Sequence, residues 1–130
     1  MRLLLDTHVA IWALASSSSM PPHIRNLIGR DENEASVSVA SLWEIAIKFA
    51  THGRARMPLS CAEAFAAFEK AGYGILDIKP EHAIAVEQLP MSRGDPFDRL
   101  LLAQAKSEPM LLLTRDQKLI AAGGDTVIGW

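Results

Sequence analysis

Four acidic side chains, Asp6, Glu44, Asp98 and Asp116, lie far apart in the chain, yet each falls where a predicted strand hands over to a helix or where a helix begins. In a parallel sheet those places share one edge, so the four carboxylates are expected to converge. Carboxylates about 4 Å apart repel by roughly 4 kcal/mol per pair at an effective dielectric constant near 20. A converged group therefore needs a neutralising partner, and a divalent cation, which prefers oxygen ligands, is the natural candidate.

The elements that must position these acids follow from hydrophobic period and punctuation. Leu3 to Leu5 form a short apolar run without alternation, as expected for a strand buried on both faces, and Thr7 to Ala15 change to helical period. Pro21 and Pro22 suit the first turn of a second helix through Ile24, Leu27 and Ile28, and Ala35 to Val39 read as a second strand. Ser41 to Ala50 are predicted helical, followed by a basic loop containing Arg54 and Arg56. Ser60 opens a further helix with capping-box spacing to Glu63; Phe65 and Phe68 supply its core face, and Gly72 stops it.

A third strand, Ile75 to Ile78, then encloses Asp77, and Pro80 starts a helix ending near Leu89. After a loop from Pro90 to Pro96, Phe97 to Ser107 read as helix and Met110 to Leu113 as strand. Arg115 to Ala122 form a last helix closed by Gly123 and Gly124, with Thr126 to Ile128 as an edge strand. The alternation predicts an α/β fold: one open, mostly parallel sheet of four to five strands with helices on both faces, in three layers. Ligands of such folds sit beyond the carboxyl ends of the strands, which is the rim to which the acids are assigned.

Bulk properties narrow the classes. The 130 residues suit a single domain, 1–130, and 49% apolar with 22% charged residues exclude a disordered chain. A net charge of −2 gives no global attraction to nucleic acid, so any such binding must come from a local patch. The single cysteine, Cys61, forms no internal disulfide, and no Cys or His pair has zinc-site spacing. No stretch has the length of a membrane span or the layout of a signal peptide, so a cytoplasmic location is expected.

Each acid also has a plain structural reading. Ser41-Leu42-Trp43-Glu44 has capping-box spacing, as has Asp95-Pro96-Phe97-Asp98 with Asp95 as the cap, and Thr114 to Gln117 would leave Asp116 a solvated bystander. Acids in a first turn also favour the helix dipole. Asp6 is different, because an acid ending a buried apolar strand needs a partner for its charge.

The segments Leu4-Leu5-Asp6-Thr7-His8, Ser38 to Lys48 with its Trp43-Glu44-Ile45-Ala46-Ile47-Lys48 core, Asp95-Pro96-Phe97-Asp98-Arg99 and Thr114-Arg115-Asp116 together resemble PIN-domain proteins. They look most like VapC-type toxins of bacterial toxin and antitoxin pairs. The resemblance implies a magnesium- or manganese-dependent endoribonuclease with a PIN-like fold, usually a homodimer, held inactive by a small antitoxin. The family's metal-binding and catalytic acids carry over onto Asp6, Glu44, Asp98 and Asp116, and none is missing. Asp95 matches a motif position too and is assigned a supporting role as a helix cap.

Phosphodiester hydrolysis requires an activated water and stabilisation of the charge developing on phosphorus and on the leaving oxygen, both of which Mg²⁺ or Mn²⁺ supplies. Asp6 and Asp98 are expected as direct ligands, with Glu44 and Asp116 acting directly or through water. Thr7 and Thr114 are open between holding ligands through their hydroxyls and capping helices. Lys48, Arg93, Arg99 and Arg115 are the RNA candidates, by nearness to the rim. Lys48 is equally spaced for an i,i+4 pair with Glu44, and Arg99 for neutralising the acids from behind. His8 is left off the catalytic set, while Trp12 and Trp43 are assigned to core or subunit contact, the Trp43 helix to a dimer interface. Three alternatives stand beside the nuclease: a receiver-like domain, which wants paired acids after the first strand; a phosphatase of the haloacid type, which wants Asp-x-Asp near the start where position 8 is His; and a catalytically silent binding module whose acids serve only as caps.

Overall fold

The computed structural model describes residues 1–90 and 94–130. Among them, strands β1 (Arg2–Leu5), β2 (Glu34–Ser38), β3 (Gly74–Leu76), β4 (Leu111–Thr114) and β5 (Val127–Gly129) pair in parallel, in the order β3-β2-β1-β4-β5. The helices are α1 (Thr7–Ala15), α2 (Pro22–Gly29), α3 (Val39–His52), α4 (Cys61–Lys70), α5 (Pro80–Val86), α6 (Pro96–Ser107) and α7 (Gln117–Gly123). Every described pairing is parallel, so the expected three-layer α/β fold is present.

Strand β1 lies at the centre because Leu3, Leu4 and Leu5 are fully buried and need cover on both faces. Side chains alternate along a strand. Leu3 and Leu5 accordingly join Val9 of α1, Ile24 of α2, Ile45 of α3 and Phe68 of α4 in one apolar layer. Leu4 joins Leu101 and Leu102 of α6, Leu112 of β4 and Leu119 of α7 in the other. Each such leucine contributes about 1.5 to 3 kcal/mol through removal from water. The chain order reverses between β1 and β4, and that reversal opens a crevice at the carboxyl edge.

Several boundaries differ from the sequence reading. Helix α3 begins at Val39, two residues before Ser41, because Ser38 caps it by accepting from the Ala40 amide at 3.0 Å. Glu44 therefore occupies the second turn of α3 rather than its first, and the capping box assigned to Ser41 and Glu44 is absent. Strand β3 ends at Leu76, which puts Asp77 beyond it. Helix α7 starts at Gln117, with Asp116 as its cap in place of Thr114. On α4 the predicted box is complete, Ser60 and Glu63 bonding reciprocally, but Phe65 is 40% exposed and only Phe68 reaches the core.

A polar clasp ties α3 to the opposite layer. The Ser38 hydroxyl donates to Oε1 of Gln104 on α6 at 2.6 Å, and the Gln104 amide donates to the Asp77 carbonyl at 3.3 Å. Buried His82 lies 3.3 Å from the same amide through Nδ1, which also accepts from the Lys79 backbone at 3.0 Å. With Nδ1 an acceptor, the Nε2 proton faces Glu108 at 2.7 Å.

Candidate active site

The switch between β1 and β4 delivers the first two site residues. Asp6 follows β1 directly, and its amide extends the ladder by donating to the Leu113 carbonyl at 3.0 Å. Its side chain caps nothing; instead Oδ2 accepts from Thr114 Oγ1 at 2.6 Å. Thr114 ends β4, and the same hydroxyl oxygen accepts from the Asp116 amide at 3.0 Å. One threonine therefore holds Asp6 and orients the turn carrying Asp116. Asp6 is only 5% exposed, and burial lifts its carboxyl above the ordinary value, an effect the Thr114 bond and His8 partly offset and Glu44 reinforces.

Glu44 comes from α3 and is also buried. Its Oε1 accepts from Thr7 Oγ1 at 2.8 Å and its Oε2 from Lys48 Nζ at 2.6 Å. Thr7 Oγ1 also lies 2.8 Å from Ser41 Oγ. A hydroxyl carries one hydrogen, so with the Thr7 proton on the carboxylate the Ser41 proton completes that second contact. Burial opposes the Lys48 charge, but the Glu44 bond and charge, with Asp95 and Asp98 beyond, hold the ammonium above its ordinary value.

Asp95 caps α6, its Oδ1 accepting from the amides of Phe97 at 2.7 Å and Asp98 at 3.3 Å. Asp98 returns no bond to the cap, and among the described residues no donor reaches its carboxylate. Burial, followed by the charges of Asp6, Asp95, Asp116 and Glu44, pushes the Asp98 carboxyl up to about 7. Asp116 caps α7, Oδ1 accepting from the amides of Lys118 at 2.9 Å and Leu119 at 3.0 Å. The plain capping role thus holds for Asp95 and fails for Glu44 and Asp98, while Asp116, expected as a bystander beside a Thr114 cap, is itself the cap.

All five acids line one cleft of about 450 Å³, together with Lys48, Arg115 and Lys118. His8, Val9 and Trp12 of α1 complete its wall. The donor set is oxygen-rich and over-charged, which suits a hard divalent cation. Among the described residues no three acid, His or Cys side chains form a ready-made chelating group. Mg²⁺ keeps several waters and needs only one or two carboxylates, so the chemistry of the set still fits it.

Of the RNA candidates, Lys48 and Arg115 reach the cleft. Arg99 does not line it, and its Nε is buried without a partner among the described residues. Arg93 lies outside the described residues. Lys118 is not among the candidates read from sequence, Ser41 is assigned there to a helix cap, and His8 and Trp12 are kept out of the site that they border. Lys118 was detectable as a cation in the turn after Asp116, whereas the Ser41 contact needed the fold. Trp43 is 58% exposed and packs edge-on against Phe97, ring centroids 5.2 Å apart.

No helix among the described residues is long and apolar enough to cross a membrane. No curated protein matches the chain in sequence. Among solved structures, VapBC2 from Rickettsia felis bound to a promoter DNA fragment is similar over 100% of this chain and 99% of that one, with 14% identity and a TM-score of 0.72. DNA-bound VapBC from Salmonella typhimurium is 19% identical over 100% and 98%, with a TM-score of 0.71. VapBC-5 from Mycobacterium tuberculosis, a member of a family of toxin-antitoxin systems, is 19% identical over 98% and 96%, with a TM-score of 0.62. These likenesses establish a shared fold. The PIN-domain family model matches residues 3–125, nearly the whole length of this acid-rimmed sheet, and the chain belongs to the PIN-domain family.

Proposed function

We propose that the chain is a Mg²⁺- or Mn²⁺-dependent endoribonuclease that hydrolyses RNA phosphodiester bonds and acts as the toxin of a toxin-antitoxin pair. The observation that carries this reading is the single cleft in which five carboxylates crowd until one of them, Asp98, is pushed to about 7. A charge density of that kind is costly unless a cation shares it. Asp6 and Asp98 would hold the metal, with Glu44 and Asp116 completing its surroundings directly or through water. When bound, the ion would acidify the attacking water and neutralise charge developing on the phosphate.

The chain's own residues have separable tasks. Thr114 and Thr7 fix the carboxylates of Asp6 and Glu44 so that neither must reorganise on binding. Lys48, Arg115 and Lys118 supply the local positive charge that the overall balance of −2 lacks, and phosphate oxygens are the groups they would contact. Solved structures similar to this one include VapBC complexes, which supports a small antitoxin as the controlling partner. A homodimer belongs to the same reading: Trp43, Ile47 and Ile84 are exposed, and Trp43 and Ile47 border an apolar groove between α3, α5 and α6.

The test is cleavage of single-stranded or looped RNA by the purified chain with Mg²⁺ or Mn²⁺. EDTA and Asp6→Asn should each abolish it. Undiminished cleavage by the Asp6→Asn protein would place the activity elsewhere.

A further inference from the structure

His8, Val9 and Trp12, the part of α1 that walls the cleft, make no hydrogen bond to its acids among the described residues. His8 and Trp12 are four residues apart on α1 and therefore share a face. Their rings are stacked, centroids 6.0 Å apart and planes 27° from parallel. Trp130 supports Trp12 from another side, edge-on at 6.5 Å, and is itself pinned by its Nε1 donating to the Ser19 carbonyl at 3.2 Å. His8 is exposed, and among the described residues no hydrogen bond holds its imidazole, so stacking on Trp12 sets its orientation. Both rings border the cleft that contains Asp6, Glu44, Asp98 and Asp116.

We propose that His8, backed by Trp12 and Trp130, is a stacking plate for an unpaired nucleobase beside the scissile phosphate, making this wall the part of the cleft that reads the base. The inference rests on the cleft being an RNA site. Its physical basis is a division of labour. The cations at the cleft, Lys48, Arg115 and Lys118, sit on α3 and before or within α7, where they meet the backbone, while α1 offers flat aromatic surface and the apolar side chain of Val9. Bases of single-stranded RNA, free of a duplex, stack on such surfaces. A paired base cannot, so the plate selects looped or single-stranded segments over helical ones.

The experiment measures binding of the full chain, with Ca²⁺ in place of Mg²⁺ or Mn²⁺ to neutralise the acids, to a short single-stranded oligoribonucleotide and to a ribose-phosphate strand of equal length without bases. The wild type should prefer the base-bearing strand by about five- to tenfold, the lower end of what one stacking contact provides. His8→Ala should erase that preference while leaving affinity for the base-free strand within about twofold, and His8→Phe should restore it. A preference that survives in His8→Ala overturns the inference. If the wild type binds both strands equally and still cleaves RNA with Mg²⁺, the inference alone falls. If it binds neither strand and also cleaves no RNA with Mg²⁺ or Mn²⁺, the nuclease reading falls with it.

Discussion

Replacing Asp98 by asparagine should make the metal-free protein more stable at alkaline pH while removing its activity. In the folded chain the Asp98 carboxyl keeps its proton up to about 7, whereas the unperturbed value is 3.8. Between those values the native state binds more protons than the unfolded one, so its stability falls as pH rises through that window. At about 1.4 kcal/mol per pKa unit the whole displacement is worth about 4 kcal/mol. Solvent reaches part of this half-buried side chain, and screening reduces the effect to about 2 kcal/mol. Asp98→Asn keeps the shape and removes the charge, so in EDTA near pH 8 it should raise the melting temperature by about 7 °C for a chain of this length. Near pH 5, little more than a third of the way through that window, the gain should shrink to about 3 °C, and it should vanish below the unperturbed value. Thermal unfolding followed by circular dichroism at the two pH values decides it. Equal stabilisation at both, or destabilisation at the higher, would refute the claim that the acids crowd Asp98.

Thr114→Val should leave the Asp6 carboxylate without its donor, cost about 1 to 3 kcal/mol in urea unfolding and lower cleavage, with Thr114→Ser restoring both. Ser60→Ala should remove one half of the α4 capping box and cost about 1 kcal/mol, with the cleavage rate unchanged because α4 does not border the cleft. Trp43→Lys should shift the protein toward monomer in light scattering at high concentration, and a wild type that is already monomeric there would count against the dimer.

How much of this was legible in the sequence depended on whether a residue's fate is decided locally. Helix α1 has the predicted bounds because Asp6 and Thr7 break the leucine run and Ser16, in a left-handed conformation, ends the helix. The α4 box was readable because both of its partners lie within four residues. The start of α3 was not, since Ser38 and Ser41 are both sound caps by local criteria. What decides between them is the bond from Ser38 to Gln104, 66 residues away. Asp116 rather than Thr114 caps α7 because β4 runs on through Thr114, whose hydroxyl is placed between the Asp116 amide and Asp6, 108 residues earlier, while the first amides of α7 bond to Asp116. The convergence of the acids followed from topology. Which of them are neutralised by neighbours and which are left exposed to repulsion required side-chain geometry. So did the placement of the aromatic wall, whose i,i+4 spacing is visible in sequence but whose position beside the acids is not.

The link between Ser38 and Gln104 joins the two helices that bear Glu44 and Asp98, and it does so through uncharged groups away from solvent. The gauge of the reactive rim, meaning the span across which those carboxylates face each other, is thereby set from underneath. Loosening the link at Gln104 would leave every ionisable group of the cleft in place and yet detune the instrument, since charges that are all present but wrongly spaced grip a small ion poorly.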